Sequence, residues 1–197
     1  MYDYITFLTN TIQFMNQNIQ APFTGYNGIC LHPKSKIKRD HNHYSTVDSL
    51  KVGDTVISKD GTEFYQIKMV IKMKVHENKL YLVKLNENLT ITPNHPVKYL
   101  NQWYFAKTFA EPQIYKVDYL YNFVLDSCNL LTTENYSIVT IGHHFTDDIV
   151  SHPYFGSQQV IDDLKQFPTD SFGNTLIESY NFEIDYNTNT ICGIQMV

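Results

Sequence analysis

Cys30 is one of three cysteines in a chain of 197 residues, and a thiolate is the strongest nucleophile a side chain offers near neutral pH. It follows a loose approach, Gly25-Tyr-Asn-Gly28-Ile29, and directly precedes a long β-patterned stretch. A second reactive set is Thr92-Pro-Asn-His95, at the end of the run that starts at Leu89. Its imidazole titrates close to neutrality, and its hydroxyl is spaced to orient a ring or an amide. The third group is His143, which closes Ile138-Val-Thr-Ile-Gly142. Each also has a plain structural reading: a lone cysteine packs as a small hydrophobe, and the two histidines end strands. A thiol with an imidazole to move its proton is nonetheless what acyl transfer requires.

These groups lie far apart in sequence, so long-range strand pairing must bring them together. From Cys30 to about Phe145 the apolar period is two. Ile67, Met69, Ile71, Met73 and Val75 alternate with Lys68, Val70, Lys72 and Lys74, the pattern of a half-buried strand. Asp60-Gly61 reads as a type I′ hairpin turn, and Asn86-Glu-Asn88 and Asn101-Gln102 separate further strand pairs. Tyr119–Leu125 and Tyr136–Ile141 add two more β-rich runs. Many short strands with frequent turns imply an all-β fold. Upstream, Ile5, Leu8, Ile12, Met15 and Ile19 predict an amphipathic helix over 2–19. Downstream, Ser157 is placed to cap a helix over 158–167, and Tyr180–Asp185 with Thr190–Gln195 predicts a closing hairpin.

In this order the motifs resemble the Hint domain, the self-processing fold of hedgehog proteins and inteins. Cys30-Leu-His-Pro-Lys-Ser-Lys-Ile37 looks like its opening strand, and Val47-Asp-Ser-Leu-Lys-Val-Gly-Asp-Thr-Val56 like its next block. Leu89-Thr-Ile-Thr-Pro-Asn-His-Pro-Val97 matches the Thr-x-x-His signature, and Trp103-Tyr-Phe-Ala106 the hairpin after it. Tyr121-Asn-Phe-Val-Leu125 resembles the penultimate block. The tail, with His152-Pro-Tyr-Phe-Gly156, Val160-Ile-Asp-Asp-Leu-Lys165 and Thr190-Ile-Cys-Gly-Ile194, is similar to the Vint subclass associated with von Willebrand A domains. The resemblance implies an all-β, horseshoe- or clam-shaped Hint domain over 30–145. Residues 1–29 would be the upstream flank and 146–197 a small α+β extension. It further implies a von Willebrand A domain as upstream host.

The chemistry implied is cleavage in cis. Cys30 Sγ would attack the carbonyl of Ile29 through a five-membered ring, an intramolecular step of high effective molarity. His95 would protonate the departing Cys30 nitrogen, Thr92 would hold the ring or the amide, and His143 would complete the site. The thioester would then pass to water or an unidentified external nucleophile, with neither cofactor nor metal. Splicing needs an asparagine after the last histidine, but Gly142-His143-His144-Phe145-Thr146 has none, so N-terminal cleavage alone is expected. Many inteins carry an acid where this chain has Asn122, so that group is either absent here or supplied by Asp118 or Asp126. Ile29 is β-branched and crowds the carbonyl, so cleavage is expected to be slow and Ile29→Gly faster.

Composition narrows the alternatives. A net charge of −5 and pI near 5.8 oppose a nucleic-acid partner, and no run is long and apolar enough for a membrane span. The odd cysteine count and the lack of a basic leader point to a reducing, intracellular setting. Residues 146–197 are too acidic and polar to hold a sterol. His32, His41 and His43 lack a fourth ligand for zinc, and His41-Asn-His43 reads as surface loop. A cysteine hydrolase acting in trans would place its thiol at a helix N-terminus rather than heading a strand. The remaining rival is a catalytically silent Hint-derived module that binds a partner.

Overall fold

The computed structural model describes residues 28–188 and 190–197; the helix expected over 2–19 lies outside them. β1 (Lys36–Lys38) and β2 (Tyr44–Thr46) form a ribbon, and β3 (Thr55–Ile57) turns into the long β4 (Phe64–Lys74). β5 (Lys79–Asn86), β6 (Leu89–Ile91), β7 (Pro96–Tyr99) and β8 (Gln102–Phe105) follow. β9 (Gln113–Lys116) returns to β5, and β10 (Tyr119–Leu125) lies antiparallel on β4. β11 (Leu130–Thr132) and β12 (Ser137–Val139) complete a sheet of order β11-β12-β7-β8. α1 (Gln158–Leu164) then leads to β13 (Thr175–Ile177), β14 (Tyr180–Asp185) and β15 (Thr190–Met196). The fold is thus mostly β, as its period of two requires, with the expected closing hairpin β14–β15. Among the described residues no helix is long and apolar enough to cross a membrane.

The alternation across 67–75 is real but interrupted. Leu125 of β10 faces Ile67 and Val124 faces Met69, so Lys68 is an extra residue in β4. Such a bulge exchanges the two faces of a strand. Tyr65, Ile67 and Val70 therefore enter one core, whereas Ile71, Met69 and Met73 enter another. The partner strand obeys the same parity: Tyr121, Phe123 and Leu125 join the first core and Val124 the second.

Several local expectations are corrected at the element boundaries. Ile57 pairs with Phe64, so the loop around Asp60-Gly61 runs over 58–63 rather than forming a two-residue turn. Within it Gly61 N–H donates to Ser58 O at 3.1 Å. Tyr99 pairs with Gln102, which moves the next turn one residue back to Leu100-Asn101, at φ 46° and 66°. Ser157 does precede α1, but its hydroxyl donates to Tyr154 O at 2.7 Å instead of capping. The helix ends at Leu164, short of the expected 167.

Three apolar cores result, and the chain around Cys30 threads them in succession. Ile29 lies in the core built around α1, β14 and β15. Cys30 packs with Val75, Leu80, Leu82, Val117 and Leu120. Leu31, fully buried, belongs to the main core with Ile37, Ile91 and Phe123. Three adjacent side chains held in three cores leave this segment little freedom to shift.

Candidate functional site

The segment Cys30–His32 is laddered on both sides. Leu31 N–H donates to Tyr121 O at 2.8 Å and Tyr121 N–H returns to Leu31 O at 3.0 Å. On the other side His32 N–H donates to Thr90 O and Thr92 N–H to Cys30 O, both at 3.0 Å. Cys30 therefore sits between the end of β6, which delivers Thr92, and the middle of β10, which delivers Asn122. That long-range pairing turns separated motifs into one site.

Both ends of the Ile29–Cys30 amide are held by side chains. Cys30 N–H donates to Thr92 Oγ1 at 3.0 Å, and the Thr92 hydroxyl in turn donates to Gly28 O. Asn122 Nδ2 donates to Ile29 O. Its other end is fixed, because Phe123 N–H donates to Asn122 Oδ1 at 2.7 Å. The side chain must therefore present its amide N–H to the carbonyl; a carboxylate there would set oxygen against oxygen. β10 parity explains the aim, since Asn122 shares the face of Val124 and pairs with Ile71.

His95 is wholly buried, with Nε2 2.9 Å from Val139 O and Nδ1 3.3 Å from Cys30 O. A neutral imidazole has one N–H, and the shorter contact claims it. Nδ1 is then left with a lone pair beside Cys30. Burial holds His95 down at about 4, although both carbonyls favour its protonated form. Burial likewise pushes the Cys30 thiol up to about 12, so the resting pair is neutral thiol and neutral imidazole.

His143 joins from the end of β12. Phe145 N–H donates to His143 Nδ1 at 3.0 Å, and the Phe145 ring stacks on the imidazole at 5.4 Å. Burial, helped by neighbouring His144, His152 and His95, holds it at about 4. Gly156 lies directly against it: a Cβ there would meet His143 Cε1 at 2.9 Å. His143 and Ile29 both line a cleft of about 310 Å³, with Asn94 and Phe155 among its other walls.

Cys30, Thr92, His95 and the Ile29 carbonyl are thus brought together, with His143 nearby. Asp118 and Asp126 are not. Each is exposed and four residues from Asn122 along β10, about 13 Å at strand rise. Asp126 instead accepts Gln66 N–H at 3.1 Å. The group at the carbonyl is Asn122 itself, and its signal in the sequence is a polar residue inside an otherwise apolar buried run. His43 bonds Asp40 in an exposed loop, and among the described residues no cluster of three His, Cys, Asp or Glu could share a metal ion.

A family model described as Vint, a Hint-domain, matches residues 29–193. Among solved structures the chain is similar to a bacterial intein-like domain from Clostridium thermocellum. That match has 13% identity over 57% of this chain and 99% of that one, at a TM-score of 0.45. It is also similar to the gp41-1 intein, with 15% identity over 56% of this chain and 98% of that one, at a TM-score of 0.40. No curated protein matches the chain.

Proposed function

Because the chain belongs to the Vint family of Hint domains, we propose that it cleaves itself at the Ile29–Cys30 bond by an N-to-S acyl shift, without splicing. Cys30 Sγ attacks the Ile29 carbonyl carbon as its proton passes to His95 Nδ1. Negative charge gathers on Ile29 O, where the Asn122 amide donates. The bond from that carbon to Cys30 N then breaks, and His95 returns the proton to the nitrogen, which leaves as an amine. Thr92 keeps that nitrogen in place throughout. The product is a thioester between residues 1–29 and Cys30, which water or an external nucleophile resolves.

The observation that carries this reading is the pair of side-chain hydrogen bonds on one peptide unit, Thr92 at its N–H and Asn122 at its carbonyl. A purely structural module has no need to polarise a single amide from both ends. The decisive experiment compares intact masses of the chain and its Cys30→Ala variant, incubated with and without a thiol. Loss of residues 1–29 from the parent alone, faster with thiol, is expected. A folded parent that stays whole would favour the silent binding module, and ligated flanks would show splicing.

A further inference from the structure

Residues 146–197 contribute no atom to the steps above, yet they are built around the residue that is cleaved. The Ile29 side chain is 9% exposed, and most of the core that buries it comes from this segment, including Tyr154, Phe155, Leu164, Ile177 and Ile194. The Hint body closes the remaining side with Ile71, Val124 and Ile141. A cavity of about 30 Å³ is left beside Ile29, edged by Ile71, Met73, Ile141, Phe155 and Phe182. That space takes one more methyl group, while the cleft of about 310 Å³ that Ile29 also edges opens on the His143 side.

The wall is registered to the reacting groups by backbone hydrogen bonds. Gly142 N–H donates to Phe155 O at 2.8 Å, and His144 N–H donates to Gly156 O at 2.9 Å. Phe155 and Gly156 are thereby tied to both neighbours of His143. The floor is registered too, because β13 pairs in parallel with β4 at Ile71–Met73, and Ile71 is the residue opposite Asn122. Moving the socket would move the groups that polarise the bond.

We propose that residues 146–197 form the acyl-residue socket of the self-processing reaction. The segment selects a mid-sized apolar residue at position 29 and so seats its carbonyl on Asn122. This rests on the autoprocessing reading above and assigns the recognition step to the extension. It also reverses the expectation from β-branching alone. Ile29 does crowd its own carbonyl, but its side chain anchors that carbonyl within hydrogen-bond reach of Asn122. Misplacement by an ångström costs more rate than the crowding relieved.

The test measures loss of residues 1–29 from the full chain carrying Ile, Leu, Gly or Phe at position 29. Each is made in the parent and in Phe155→Ala and Phe182→Ala backgrounds. Phe182 is only half buried, so its variant keeps the test open if Phe155→Ala fails to fold. In the parent, Ile29→Leu should cleave at a comparable rate, and Ile29→Gly and Ile29→Phe at least about tenfold more slowly, the scale of one or two methylenes in an apolar pocket. The enlarged socket should shift the Phe-to-Ile rate ratio toward Phe by about tenfold or more. A general loss of stability would slow every residue alike and leave that ratio unmoved. An unmoved ratio, or a faster Ile29→Gly, overturns the socket alone. A folded parent that never cleaves overturns the autoprocessing reading and the socket with it.

Discussion

At the Ile29–Cys30 amide the proposed chemistry turns on which protons remain after burial. Asn122 has a single rotamer role, since Phe123 N–H fixes its oxygen and leaves its N–H for the Ile29 carbonyl. Asn122→Ala removes what is, among the described residues, the only side-chain donor on that oxygen, and cleavage should slow by about 10²-fold, as for loss of one oxyanion donor; timed intact masses read this. The pH profile is equally specific. The thiol is held at about 12 and His95 at about 4, so neither changes charge between about pH 6 and 10. Attack by the neutral thiol with proton transfer to His95 predicts a flat rate across that window. The rate should fall only as pH drops toward 4, where His95 takes up a proton and ceases to be a base. A tenfold rise per pH unit would instead assign the attack to free thiolate.

Elements deliver these residues by parity. The extra residue Lys68 in β4 lets one strand serve two cores, with Ile67 in the first and Ile71 in the second. An alanine inserted between Met69 and Val70 would reverse the parity again and turn Val70, Ile71 and Met73 toward the wrong cores. Loss of cooperative unfolding in urea is the expected result. Lys68→Ala keeps the bulge and removes only an exposed side chain, so its unfolding free energy should stay within about 0.5 kcal/mol of the parent's. The junction after β12 is as demanding. Gly142 has φ +73°, and a Cβ there would lie 2.5 Å from Ile161 Cδ1. Gly142→Ala should therefore destabilise by about 1–3 kcal/mol, measurable in the same urea titration.

For the whole molecule, three buried or half-buried histidines, His95, His143 and His152, are each held at about 4, mainly by burial. In the unfolded chain they bind protons near 6.5. Above that pH neither state is protonated and these groups leave stability unchanged. As pH falls from about 6.5 to 4 the unfolded state binds more protons than the folded one, so stability declines, by at most about 1.4 kcal/mol per pH unit for each histidine. The urea midpoint should be lower at pH 5 than at pH 7, and His143→Gln should flatten that dependence. An unchanged midpoint would mean that the rings are hydrated in solution. Residues 146–197 share this integration, for β13 joins β4 and α1 packs against β15 around Ile29.

The order of motifs from Cys30 through Thr92-x-x-His95 to His143, together with the period of two, was enough to set the fold class and the family. Those are local properties: strand periodicity and short motifs survive in one dimension. The shift of the Leu100-Asn101 turn and the early end of α1 are departures of one to three residues at element boundaries, which periodicity does not fix. The bulge at Lys68 was not legible, because its register is settled by β10, far away in sequence. The aspartates proposed as acids were misplaced for the same reason. Sequence proximity to Asn122 says nothing of strand rise or side-chain face, and β10 carries both to exposed positions. Only the tertiary structure could place Asn122 on the Ile29 carbonyl and enclose Ile29 in residues 146–197, since both depend on which faces of separate strands meet.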